Sequence, residues 1–119
     1  DVFAPCAVGS VLNLKTLPLF KAKIIAGAAN NPLAHADQAE ALFARQIVYV
    51  PDYVINAGGL IFSARQHLGS AQIDIDSQLN HIYSLTRSIL EKSSQHQISP
   101  LQVANRLAAR RIQRQAVTA

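Results

Sequence analysis

Two clusters of small and amide residues carry the chemistry this chain can offer: GAANNP at 27–32 and INAGG at 55–59. Asn30, Asn31 and Asn56 each present an uncharged carbonyl acceptor and an amide donor. Such groups suit a carboxamide, a ribose hydroxyl or an ammonium group. The intervening glycines and alanines let a flat ligand approach the backbone, because nothing bulky projects. Gly58 and Gly59 are expected to open a helix, whose first N–H groups have no partner within it and can face a ligand. The same residue types also form turns that tolerate unusual backbone angles, so ligand contact and turn geometry both account for them.

Other chemistries find less support. His35, His67, His81 and His96 lie far apart, with no HxxxH pair and no cysteine companion, so no metal site is expected. Cys6 has no recognisable histidine partner and reads as buried packing. Lys15, Lys21 and Lys23 sit before or on a strand and read as solvated cations. A lysine base needs burial and neighbouring charge to lower its pKa, and no such setting is visible. No GxGxxG occurs in the chain, nor the acidic residue that follows it about twenty positions later, so the pyrophosphate turn of a dinucleotide site is missing.

The elements that must hold the two clusters follow from hydrophobic periodicity. DVFAP at 1–5 reads as a short buried strand ended by Pro5, and Ile24 to Gly27 as a second. IVYVPDYVIN at 47–56 reads as a third, split by Pro51 into two extended pieces. GSVLNLKTLPLF is a turn plus a short helical stretch. A helix is expected from Asp37 to Gln46, where Ala39, Leu42 and Phe43 share a face. Strand, helix, strand at this rhythm predicts a parallel α/β sheet.

From Gly58 onward the pattern is helical. A helix is expected over about 59–68 and a longer one over about 76–92, striped by Leu79, Ile82, Tyr83, Thr86, Ile89 and Leu90. Residues 92–98 read as polar linker. Ser99 then caps a last helix with Pro100 in its first turn and Val103, Leu107, Ala108 and Ile112 along one side. The sequence thus divides into a strand–helix–strand part, 1–58, and a helical section, 59–119.

Half of the residues are hydrophobic and 15% are charged, which excludes disorder and predicts a packed core. No apolar run approaches the roughly 18 residues needed to cross a bilayer, and no secretory leader is visible. One cysteine excludes a disulfide framework within the chain and fits a reducing, cytoplasmic setting. Charge is uneven: residues 1–86 carry five cations against six acids, a balance of −1, whereas 87–119 carry six cations against Glu91 alone, a balance of +5. A basic end of this kind can touch nucleic acid through phosphates. No aromatic residue follows Tyr83, so stacking partners are lacking and solvated helix cations account for the charge better.

DVFAPCAVG at 1–9, KAKIIAGAANNPL at 21–33 and PDYVINAGG at 51–59 resemble the amino-acid dehydrogenases acting on glutamate, leucine, phenylalanine and valine. The CA of APCAVG and the ANN of GAANNPL are similar to the leucine/phenylalanine/valine branch, as is SPLQVANRLAARRI at 99–112. The resemblance spans about 1–112. It implies the second half of a Rossmann-like doubly wound parallel sheet followed by C-terminal helices, from the cofactor domain of a two-domain, oligomeric enzyme. That enzyme converts an L-amino acid to its 2-oxo acid and ammonium, with NAD or NADP taking the hydride.

By the same resemblance, Ala7 lies near the nicotinamide ribose and Asn30 close to the nicotinamide, with Gly58 and Gly59 beside the ring. The side-chain oxygen of Asn56 accepts a hydrogen bond from the substrate amino group. Leu60, Ser63, Leu85 and Ser88 are lining candidates for the substrate side chain, although ordinary helix packing accounts for each of them better. The catalytic lysines and aspartate of the family belong to an earlier domain that nothing here matches, so this chain alone is expected to be inactive. LIFSARQHL at 60–68 departs from the family in Phe62 and Arg65, which leaves the substrate open.

The chain opens at Asp1 without Met, and Val2 and Phe3 already read as core strand, which predicts a fragment whose beginning lies elsewhere. A three-strand parallel sheet would also leave an open edge. Two other functions stay in view: a half-domain that self-associates or assembles with another chain through that edge, and a nucleic-acid-binding domain acting through 87–119.

Overall fold

The computed structural model describes residues 1–68 and 74–118; positions 69–73 and 119 of the expected helical section lie outside them. Three two-residue strands, β1 (Val2–Phe3), β2 (Ile24–Ile25) and β3 (Val48–Tyr49), form a parallel sheet in the order β1-β2-β3. The helices are α1 (Asp37–Ala44), the single turn α2 (Asp52–Ile55), α3 (Gly58–Leu68), α4 (Ile75–His96) and α5 (Pro100–Thr118). A 3-10 turn occupies Leu17–Leu19. The α/β class and the C-terminal helices match the sequence expectation.

Register assigns the two faces of the sheet. Phe3, Ile25 and Tyr49 form one row across the strands, and Val2, Ile24 and Val48 the other. The first row packs with Leu12, Leu17, Leu42 and Ile47 into a core. Ile25 and Leu42 are wholly enclosed, each side chain contributing about 1.5–3 kcal/mol by leaving water. The second row is apolar and uncovered, with Val2 59%, Ile24 39% and Val48 37% exposed. Parallel sheets are normally covered on both faces.

A second core of Val54, Ile89, Val103 and Ala104 joins α2, α4 and α5. The helical section is tied to the sheet half through Ser99, whose hydroxyl donates to Glu40 Oε1 at 2.5 Å and accepts the Gln102 N–H at 3.2 Å. This is the N-cap that SPLQ predicts.

Three local expectations are corrected. Residues 92–98 are not a linker: α4 runs to His96, and the chain reverses at Gln97 in the left-handed region, φ 52°. Ser93 is buried and its hydroxyl donates to the Ile98 carbonyl at 2.5 Å, so a polar residue serves as helix core. Residues 52–55 are helical rather than extended, because Pro51 stands at the N-cap and its carbonyl accepts the Val54 N–H at 3.1 Å. Cys6 is exposed, not buried. The expected stripes are also only partly packed: Ile89 is enclosed, whereas Tyr83 and Ile112 stand 67% and 68% exposed. No described helix is long and apolar enough to cross a membrane.

Candidate active site

Because the strands are parallel, all three end on one side, and the segments that leave them meet there. The loop after β1 is zipped to the loop after β2 by backbone bonds from Ser10 N to Asn31 O and from Leu12 N to Pro32 O, both 2.8 Å. Ala29 N donates to Pro5 O at 2.9 Å. Gly27 permits that approach: a Cβ there would lie 2.1 Å from the Pro5 carbonyl oxygen.

Asp52 then fastens the second loop to the third segment. Its Oδ2 accepts the Asn31 N–H at 2.8 Å, while Oδ1 accepts the Tyr49 hydroxyl at 3.1 Å. Tyr49 is buried, and burial followed by the charge of Asp52 raises its phenol far above the ordinary value, so it remains a neutral donor. Tyr53 is raised for the same two causes.

These bonds bring the two amide clusters together. Asn56 Nδ2 donates to Asn30 Oδ1 at 2.6 Å across a separation of 26 residues. Asn56 Oδ1 and the Asn30 amide nitrogen have no hydrogen-bond partner among the described residues. Asn30 is exposed and Asn56 half-buried. Ala7, on the β1 loop, is exposed on the same side of the sheet. Gly58 is half-buried, and a Cβ there would touch Leu79 Cδ2 at 3.4 Å; a Cβ on Gly59 would meet nothing within 4 Å.

That open ground beside uncharged amides suits a flat, carboxamide-bearing ring. An amide oxygen also suits an ammonium group, which has donors only. No group of three or more metal-ligating side chains occurs among the described residues.

The four lining candidates do not converge in the same way. Leu60 is 74% exposed and Ser63 is exposed on α3. Leu85 lines an open cavity of about 400 Å³ between α2, α3, α4 and α5, with Tyr53, Ile61, Ile82 and Leu107 among its neighbours. Ser88 is half-buried on α4, outside that lining, as are Leu60 and Ser63. Sequence reasoning passed over Asp52 and Tyr49. Both sit within or beside the PDYVINAGG motif, but the partner of Asp52 on the GAANNP loop lies 21 residues away, a pairing that spacing does not reveal.

A parallel sheet with polar and small residues gathered outside its carboxyl ends defines an open α/β domain of the kind that takes its ligand at the strand ends. Residues 1–118 match the family model of the glutamate/leucine/phenylalanine/valine dehydrogenases, and the chain belongs to that family. It is 40% identical to a valine dehydrogenase of Streptomyces coelicolor over 112 residues, 94% of this chain and 31% of that protein. It is 41% identical to a leucine dehydrogenase of Bacillus subtilis over 114 residues, 96% of this chain and 31% of that protein. The crystal structure of L-tryptophan dehydrogenase from Nostoc punctiforme superposes with a TM-score of 0.87 at 41% identity, covering 96% of this chain and 34% of that one. The chain therefore spans about a third of the length of the relatives it matches.

Proposed function

We propose that this chain is the later part of the cofactor domain of an L-amino-acid dehydrogenase that uses NAD, with NADP as the other candidate. Its substrate is an apolar amino acid such as leucine, valine or phenylalanine. The observation that carries the reading is the Asn56–Asn30 amide bond of 2.6 Å at the strand ends, which leaves the Asn56 oxygen open beside unobstructed glycine. Asn56 Oδ1 accepts from the substrate amino group and so aims the α-hydrogen. Asn30, Ala7, Gly58 and Gly59 receive the nicotinamide end of the cofactor. When bound, the nicotinamide supplies the acceptor for the hydride that leaves the α-carbon. The amine loses its proton, water replaces nitrogen at that carbon, and ammonium and the 2-oxo acid depart. The groups that move these protons belong to the N-terminal catalytic domain, which this chain does not supply.

Leu60, Ser63, Leu85 and Ser88 remain the proposed lining of the side-chain pocket. Leu60 and Ser63 would gain their burial when the cleft is completed. The uncovered row Val2–Ile24–Val48 supports a larger assembly, since a doubly wound sheet packs helices on both faces. That row also suits a second reading, a non-catalytic assembly module built on half a sheet. A cytoplasmic homo-oligomer is the expected setting, with no membrane and no nucleic acid as partner.

The test is an assay of the full-length protein with a panel of L-amino acids and both dinucleotides. Oxidation of apolar amino acids with ammonium release is expected; absence of turnover with every amino acid would favour the assembly module. Gly59→Ala separates the site from the fold. It meets open space and replaces glycine by a better helix former, so stability should rise by about 0.5–1 kcal/mol. Dinucleotide binding should nevertheless weaken by about 10-fold, because a methyl group then stands where the ring lies. Unchanged binding by equilibrium titration would remove Gly59 from the cofactor wall.

A further inference from the structure

We propose that Asp52 is a positioning residue of the amino-acid site: its side chain clamps the loop carrying Asn30 to the turn leading to Asn56 and so holds the two amides in register. The inference rests on the dehydrogenase reading above and adds a residue that acts only through others.

Asp52 has one attachment in the core and one on the loop. Oδ1 accepts from Tyr49, whose ring is packed among Ile25, Leu42 and Ile47 and is 2% exposed. Oδ2 accepts the N–H of Asn31 at 2.8 Å. Asn31 has φ 50°, a left-handed conformation that asparagine adopts more readily than most non-glycine residues. The Asp52 bond fixes the N–H of that turn, and Asn30 is the adjoining residue.

On the other side, the Asp52 carbonyl accepts the Asn56 N–H at 2.9 Å, closing the single turn α2. The same residue thus reaches Asn56 through the backbone and Asn30 through its neighbour, and the Asn56–Asn30 bond of 2.6 Å completes the ring. Both carboxylate oxygens are acceptors used at once by two different donors, and a carboxylate accepts at both oxygens without reorientation.

Loss of the clamp unties the Asn30 loop from α2, while its backbone bonds to the β1 loop persist and Asn56 stays on its turn. Without the amide bond, Asn56 no longer has a fixed orientation, and small misplacements in such a site cost catalysis heavily.

Four variants of the full-length enzyme test this: Asp52→Ala, Asn56→Ala, the double variant, and Asp52→Asn. Asp52→Ala should lower kcat/KM for the amino acid by about 10- to 100-fold. In the Asn56→Ala background, with the dinucleotide saturating, the same change should cost less than about 3-fold, because the amide pair it aligns is already broken. Asp52→Asn should recover part of the activity: its oxygen serves Asn31 while its amide nitrogen donates to the Tyr49 oxygen, leaving only the Tyr49 hydroxyl hydrogen without an acceptor. Should Asp52→Ala fail to fold, Tyr49→Phe removes one of the two clamp bonds and enters the same cycle with a smaller loss.

A loss of equal size with and without Asn56 would overturn the inference and make Asp52 a general support of the fold. So would wild-type kcat/KM in Asp52→Ala. An Asn56→Ala enzyme with unchanged kcat/KM would instead bring down the dehydrogenase reading of the site, and the inference with it.

Discussion

Asn56→Ala in the full-length enzyme is expected to lower kcat/KM for the amino acid by about 100-fold. The magnitude follows from two contributions. A hydrogen bond to a charged group is worth about 1.5–3 kcal/mol, which alone is roughly 10- to 150-fold. The lost bond also orients the α-carbon, and a substrate free to rotate spends less time with its hydrogen aimed at the ring. The loss should therefore appear in kcat as well as in KM. Binding of the dinucleotide should move far less, because Gly58 and Gly59 keep their place. Steady-state kinetics in the deaminating direction, with dinucleotide affinity measured separately, checks both halves. Equal damage to both ligands would mean that Asn56 supports the cleft generally rather than the amino group.

The largest effect on stability is expected at Gly27. Its missing Cβ leaves room for the buried Pro5, whose carbonyl oxygen, nitrogen and Cδ would lie 2.1, 2.6 and 2.7 Å from an added methyl. Two of these atoms are backbone, so no side-chain rotation relieves the contact. Gly27→Ala must push the β1 and β2 loops apart and break the Ala29 N–Pro5 O bond that joins them. A cost of about 4 kcal/mol or more is expected, in the range reserved for backbone clashes and cavities. Denaturant titration of the full-length protein would show it as a lowered midpoint. A shift smaller than about 1 kcal/mol would mean that the two loops are not locked together as described.

The main lines of the fold, and the loops that carry the candidate site, are legible in the sequence because the signals behind them are local. β-branched runs mark the strands, and Ser99–Pro100 announces α5 through the capping preference that the Gln102 N–H then satisfies. The cluster at 27–32 follows β2 directly and that at 55–59 follows β3 after the single turn α2, and a parallel sheet brings those strand ends to one side.

What sequence does not reveal depends on distant partners. Ser93 looks like linker because it is polar, yet it is buried once its hydroxyl finds the Ile98 carbonyl. Pro51 reads as a strand breaker and turns out to start a helical turn, since a fixed φ near −60° serves both. Asp52 carries no local signature, because its role is defined by an N–H on another loop. Leu60 and Ser63 are exposed on α3, where the family resemblance puts a pocket lining.

The most direct test of the cleft is a crystal structure of the full-length enzyme holding its amino acid together with reduced cofactor, a pair that cannot react. The substrate nitrogen is expected at about 2.7–3.2 Å from Asn56 Oδ1, with the nicotinamide resting over Gly58 and Gly59. A substrate nitrogen bound elsewhere, with Asn56 still facing only Asn30 and solvent, would contradict it.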